Sequence, residues 1–364
     1  KMPLLRSGPS CPSSNPSWMG LQHFSRFLGD GCRMQTKAPF TSLSESNSAD
    51  SPSPLAGSTA SGPKSANRGA RVIGQKRKAP GPSKQTEKQK QSEKRAKIAL
   101  ELRKEFGMDG VMAVNKPTNW TSFDVVAKVR SELGKMMRES SPELNPKACR
   151  VKVGHGGTLD PMATGVLVLG VGSGTKLMDN YTKGSKCYEA VGVFGYETDT
   201  GDAEGVQTGE AVDCSHVTEE ALEQVLGKFR GELSQVPPVF SAIKKDGKKA
   251  YELARKGIEV EMEARKVMIY RLELSAPYAR THPRFHLSVE CGGGTYIRSL
   301  VRDIARELGA AAHMCALIRT KQGEFVLEDC LEAESLSDGP SILQALHSAN
   351  EARAASEAGE LGSS

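Results

Sequence analysis

Residues Gly154-His155-Gly156-Gly157-Thr158-Leu159-Asp160-Pro161-Met162-Ala163-Thr164-Gly165 run straight into Val166-Leu167-Val168-Leu169. A glycine-rich bend that ends in one carboxylate thus feeds an apolar run of strand length. The glycines let the backbone turn tightly and leave room for another molecule to approach. Pro161 pushes Asp160 away from the α region, so its carboxylate is presented from a rigid extended corner. Asp-Pro is also a common turn opener. On these residues alone, a structural turn and a functional carboxylate both stay open.

Charge along the 364 residues is uneven. Residues 1–100 carry a net charge of +12 and residues 326–364 one of −7, while 101–325 is balanced at +1. The overall excess of basic residues therefore belongs to the N-terminal stretch. Any affinity of the core for nucleic acid must come from a local patch. The hydrophobic share of 38% is low, and the deficit lies at the two ends. Residues 1–97 read as a disordered basic tail, 98–334 as the folded part and 335–364 as a disordered acidic tail. Lys76-Arg77-Lys78 and Lys94-Arg95-Ala96-Lys97 have the look of a two-part nuclear import signal, pointing to the nucleus and also allowing the cytosol. Arg6, Arg26 and Arg33 suit a mitochondrial transit peptide less well, because Pro3, Pro9, Pro12 and Pro16 break the helix it needs. The eight cysteines form no C-x-x-C pair and read as free thiols. No run reaches the ~18 apolar residues of a membrane span.

Periodicity places the elements. A short helix over 98–106 leads to a strand at 110–114. Thr121 and Asp124 have capping-box spacing, ahead of a stripe of Val125, Val126, Val129 and Leu133. Strands are expected at 165–171, 186–195, 267–274, 285–291 and 317–325, and a helix at 218–230. Pro237 and Pro238 keep 236–245 extended. A short helix ends at Gly257, and after Gly292-Gly293-Gly294 a stripe of Ile297, Leu300, Val301, Ile304 and Leu308 marks another. Strands and helices without regular βαβ repeats indicate an α+β fold with a mixed or mostly antiparallel sheet and flanking helices.

Several chemistries are excluded. Gly170-Val171-Gly172-Ser173-Gly174-Thr175-Lys176 lacks the spacing of a P-loop, and Leu177 stands where a dinucleotide fingerprint needs glycine. There is no HExxH or clustered ligand set for a metal and no Gly-x-Ser-x-Gly elbow. What remains is Asp160 with possible helpers. Arg298 opens the helix after the triple glycine, where it can pair with a buried carboxylate and keep it ionised. Arg302 and Arg306 follow at i+4 spacing, as a solvated face would. His155 is either a structural histidine or a flat ring for an extruded base. Tyr188 is a core aromatic whose hydroxyl could move a proton.

The Gly154–Leu167 stretch resembles the signature of the TruB family of pseudouridine synthases. Four further blocks resemble the family in its order: Val114–Pro117 with Thr121-Ser122; Lys186-Cys187-Tyr188 through Asp202; Val236-Pro237-Pro238 through Gly257; and Cys291–Arg298 with Arg319-Thr320 and Gly323-Glu324-Phe325. The resemblance covers residues 110–325. It implies a pseudouridine synthase fold with a central active-site cleft. It implies Asp160 as nucleophile, Tyr188 stacked on the target base and Arg298 paired with the aspartate. His155, Lys116 and Thr158 would bind substrate. The reaction isomerises uridine in RNA; no atom is added, so no cofactor or metal is implied. The implied substrates are the tRNA T loop, at position 55, and mRNA stem-loops of similar shape. No membrane and no obligate protein partner are implied, and the chain would act as a monomer. Residues 326–364 do not resemble a PUA domain, which favours the stand-alone eukaryotic branch over a guide-RNA-dependent rRNA or snRNA synthase. A non-catalytic RNA-binding or RNA-folding protein is the other alternative. Asn119 stands where the family often has glycine, and Asn tolerates the left-handed conformation.

Overall fold

In the computed structural model, residues 84–245 and 247–361 are described. They run α1 (Lys84–Glu105), β1 (Gly110–Lys116), α2 (Ser122–Ser140), β2 (Val153–His155), β3 (Thr164–Val171), α3 (Met178–Lys183) and β4 (Lys186–Phe194). A small pair, β5 (Glu197–Thr198) and β6 (Gln207–Thr208), precedes α4 (Glu219–Lys228) and β7 (Gly231–Gln235). The hairpin β8 (Lys244–Lys245) and β9 (Lys248–Lys249) leads to α5 (Ala250–Ala254), β10 (Arg265–Leu274), α6 (Tyr278–Thr281) and β11 (Arg284–Cys291). The chain continues with α7 (Ile297–Glu307), β12 (Ala312–Gln322), β13 (Phe325–Val326) and α8 (Gly339–Leu361).

One nine-stranded sheet has the order β1-β3-β12-β4-β11-β10-β7, with β2 on β3 and β13 on β12. Every pairing is antiparallel except β3 with β12, where Gly165 lies opposite Arg319. The sheet is thus mixed, as the α+β reading expects. All eight residues of β3 are buried, which is why Val166–Leu169 reads as a continuous apolar run without alternation. Leu167 and Leu169 face α2 and α8, while Val166 and Val168 face Tyr181 and Phe325. A larger core lies between β4, β11, α4 and α7.

The capping box is real. The Asp124 amide donates to Thr121 Oγ1, and Asp124 Oδ2 accepts from the Thr121 amide at 2.8 Å. Val125, Val126, Val129 and Leu133 then face inward. Asn119 has φ 64°, the left-handed conformation expected of it. Gly257, also left-handed, closes the end of α5, its amide donating to the Ala254 carbonyl.

Both domain boundaries need correction. The acidic tail expected over 335–364 contains α8, whose Ile342, Leu343 and Leu346 are buried against Leu167 and Leu169. Asn350 adds polar anchors, accepting from the Val111 amide and donating to the Asp109 carbonyl. Three apolar residues at i, i+1 and i+4 suffice to dock a helix whose composition otherwise looks like a tail. At the other end, α1 begins at Lys84, inside the expected basic tail of 1–97. Ile98, Ala99, Leu102 and Phe106 anchor it, and good helix formers extend the ladder outward at little cost. β12 starts at Ala312, five residues before the expected 317. The remainder of the basic tail, residues 1–83 with Lys76-Arg77-Lys78, lies outside the described residues, as do 362–364. Among the described residues no helix is long and apolar enough to cross a membrane.

Candidate active site

The loop between β2 and β3 carries the site. Four of its carbonyls belong to no ladder, and side chains donate to them instead. Ser122 Oγ, at the start of α2, donates to the Leu159 carbonyl and accepts from the Leu159 amide at 2.9 Å. Lys116 Nζ, at the end of β1, donates to the carbonyls of Trp120, Pro117 and Pro161. Gln322 Nε2 donates to the Gly156 carbonyl and Arg319 Nη2 to that of Gly157. The Ala163 amide closes a turn on the Asp160 carbonyl. Asp160-Pro161 is therefore a turn opener and also the place where a carboxylate is displayed.

Two of the glycines do a different job from the one expected, because the space beside Gly156 and Gly165 is filled by the protein itself. A Cβ on Gly156 would lie 2.5 Å from Tyr181 Cβ, and one on Gly165 would lie 2.3 Å from the Arg319 carbonyl oxygen. Close approach of chain to chain explains these two, whereas a Cβ on Gly154 or Gly157 would meet its neighbours only at ordinary contact distance, and Gly157 has φ 136°.

Arg298 reaches Asp160 as a fork. Nε donates to Oδ2 at 2.8 Å and Nη2 to Oδ1 at 3.0 Å. Nη1 donates to the Thr200 carbonyl at 2.7 Å and Nη2 to that of Phe240 at 2.9 Å. The arginine side chain is 4% exposed and the aspartate 27%, so the carboxylate is held from behind and open in front. Asp202, nearly buried, stands 3.7 Å from Arg298 Nε and accepts from Thr200 Oγ1. In the sequence Asp202 is only the end of a motif block, with nothing local to mark it as a partner of Arg298. Arg302 and Arg306 point elsewhere, to Asp303 and Glu197, as a solvated face should.

Tyr188 lies on β4, buried, with burial pushing its hydroxyl up to about 12. Asp160 is among its electrostatic neighbours. His155 is half-buried at the end of β2, its Nδ1 3.4 Å from the Gly157 amide. Burial first, then the charges of Arg319 and Lys249, pull the imidazole below its ordinary value, so it is a neutral ring at pH 7. Burial lowers Lys116 to about 8, partly countered by Asp160. Thr158 is exposed, two residues before Asp160. Asp160, Arg298, Tyr188 and Lys116 come together here, with His155 and Thr158 on the same loop. Arg319 was legible only as part of a motif block; its contact with the loop depends on strand register.

Residues 145–297 match the sequence family described as TruB family pseudouridylate synthase (N terminal domain). Residues 298–351 match the tRNA pseudouridylate synthase B C-terminal domain, which takes in the first half of α8. The chain is 44% identical over 240 residues to human pseudouridylate synthase TRUB1, spanning 65% of this chain and 68% of that protein. It is 42% identical over 228 residues to tRNA pseudouridine synthase B of Parabacteroides distasonis, spanning 63% of this chain and 92% of that one. Among solved structures, a chain of a Cbf5–Nop10–Gar1 complex is similar at 28% identity and a TM-score of 0.45, over 64% of this chain and 54% of that one. This chain belongs to the TruB family of pseudouridine synthases, which are isomerases.

Proposed function

We propose that this protein converts one uridine of a tRNA T loop, at position 55, to pseudouridine, and does the same in mRNA stem-loops of similar shape. The observation that carries the reading is the Asp160 carboxylate, clamped by both arms of Arg298 and open on its other side. The tRNA substrate is supported by the names of the relatives. In the reaction the N1–C1′ bond breaks, the uracil turns, a C5–C1′ bond forms, C5 loses its proton and N1 gains one. No atom enters or leaves overall. Asp160 supplies the transient covalent handle. Arg298 fixes both carboxylate oxygens, so little orientational freedom is left to lose when the carbon arrives. Tyr188, a phenol at neutral pH, offers its ring to the extruded base, and neutral His155 offers a second flat face. Lys116 holds the turn through the Pro161 carbonyl, and exposed Thr158 meets the RNA. The protein acts as a monomer without guide RNA, and the exposed basic residues Lys94 and Lys97 favour nuclear residence.

A bare T-arm stem-loop is incubated with the purified protein or its Asp160→Asn variant, and pseudouridine is quantified. Product from the wild type alone is expected. Equal product from both sinks the assignment, and a requirement for added guide RNA or partner proteins sinks the stand-alone reading.

A further inference from the structure

Three cations are buried around the catalytic loop without a carboxylate at ion-pair distance among the described residues: Lys116, Lys186 and Arg319. The two lysines have a way out only above about pH 8, the value to which burial lowers each. A guanidinium has none. Arg319, 1% exposed, keeps a full charge in the interior, and an unpaired buried charge is a standing cost to stability.

Its contacts show what that charge is held against. Arg319 on β12 lies directly opposite Tyr188 on β4, so the two side chains share one face of the sheet. The guanidinium acts on the Tyr188 hydroxyl as a charged, hydrogen-bonding neighbour that opposes the rise burial gives it. Nε donates to the Val166 carbonyl at 2.7 Å, and Nη2 to the Gly157 carbonyl at 3.2 Å. One rigid fork thus touches the strand that carries Tyr188, the start of β3, and the loop that carries Asp160. The β3–β12 pairing brings Gly165 against Arg319, where the missing Cβ lets the two backbones close.

We propose that Arg319 is a positioning residue for the isomerisation: its guanidinium fixes the Tyr188 hydroxyl and the Gly157 carbonyl relative to each other, and so sets the Tyr188 ring against the Asp160 carboxylate. Its contacts are all with protein, so it works through Tyr188 and the loop. Lysine in its place keeps the charge and loses the fork.

The proposal rests on the pseudouridine synthase reading, and its test separates the two. Single-turnover pseudouridine formation on the T-arm stem-loop is measured for wild type, Arg319→Lys, Tyr188→Phe and the double variant. Asp160→Asn serves as the inactive control. Arg319→Lys is expected to lower the rate at saturating RNA on the order of 30- to 100-fold, with RNA affinity changed less than about threefold. In the Tyr188→Phe background the same substitution is expected to cost less than about threefold. Equal fold losses in both backgrounds overturn the proposal, because a merely structural arginine gives additive effects. A loss confined to RNA affinity overturns it as well. An inactive wild type, or an active Asp160→Asn, overturns the functional reading instead. Melting temperature checks folding; where Arg319→Lys does not fold, Arg319→Gln, which keeps a planar donor, takes its place in the cycle under the same criteria.

Discussion

Replacing Arg298 by lysine tests the clamp most directly. Four of the five guanidinium N–H groups are engaged, two with Asp160 and one each with the Thr200 and Phe240 carbonyls. An ammonium has three N–H groups radiating from one atom, so it cannot span two carboxylate oxygens and two carbonyls on different loops. At least one acceptor loses its partner. Arg298 is 4% exposed and Thr200 and Phe240 are half-buried, so an orphaned carbonyl is partly desolvated and costs about 1–3 kcal/mol. The Asp160 side chain, at 27% exposure, regains some water, so the total stays near the low end, about 2 kcal/mol. Activity should suffer more. A carboxylate freed from its fork samples other rotamers, and a misplacement of about 1 Å is enough for a loss on the order of 100-fold in rate. The assay is single-turnover conversion of a T-arm stem-loop, with thermal unfolding alongside. The expected result is a rate down by about two orders of magnitude, RNA affinity preserved, and a melting temperature only a few degrees lower. A lysine variant within about threefold of the wild-type rate would refute the reasoning, since charge alone would then suffice and the bidentate geometry would be irrelevant.

Two further outcomes follow from the buried framework. Gly165→Ala places a Cβ 2.3 Å from the Arg319 carbonyl oxygen at φ 103°, so backbone strain and overpacking should together cost about 2–6 kcal/mol, read as a lower urea midpoint; a change below about 1 kcal/mol would contradict the close β3–β12 approach. Lys116 should make stability depend on pH with a definite sign: its folded-state value is about 8 and its ordinary value 10.5, so between these the unfolded chain binds more protons and stability rises with pH. The stability difference between wild type and Lys116→Met should therefore move in favour of wild type from pH 8 to pH 10, by up to about 1.4 kcal/mol per pH unit, and a flat difference would show that the ammonium is not desolvated.

What could be read from the sequence was what local chemistry decides. Thr121 and Asp124 cap α2 because the box needs only residues three apart. Val166–Leu169 announced a strand covered on both faces. Asp160 and Arg298 were matched across 138 residues through a resemblance to a family, since no periodicity links them. What was missed depends on tertiary placement. Arg319 looks like any strand arginine until the β4–β12 register sets it opposite Tyr188. Gly156 and Gly165 look like clearance for a ligand because sequence does not show that Tyr181 and the Arg319 backbone occupy that clearance. α8 was mistaken for a tail because its three anchoring residues are diluted among Ala, Ser and Glu.

The braces of the loop between β2 and β3 share one chemical logic. Between β2 and β3 the chain has carbonyls at Gly156, Gly157, Leu159 and Pro161 that no strand can pair, and each finds a side-chain donor: Gln322, Arg319, Ser122 and Lys116. These donors come from β12, the start of α2 and the end of β1, so the loop is pinned to three separate elements of the fold. A neutral donor would satisfy a carbonyl equally well. Two of the four are cations, and a third, Arg298, holds the carboxylate itself. Lys116 can lose its proton near pH 8, whereas the two arginines cannot. Arg298 has Asp160 and Asp202 to balance it, and Arg319 has neither. At neutral pH Lys116 keeps most of its charge as well, and Arg319, beside the phenol and behind the loop, is the cation that stays charged above pH 8. A guanidinium held by the Val166 and Gly157 carbonyls presents that charge without reorganisation.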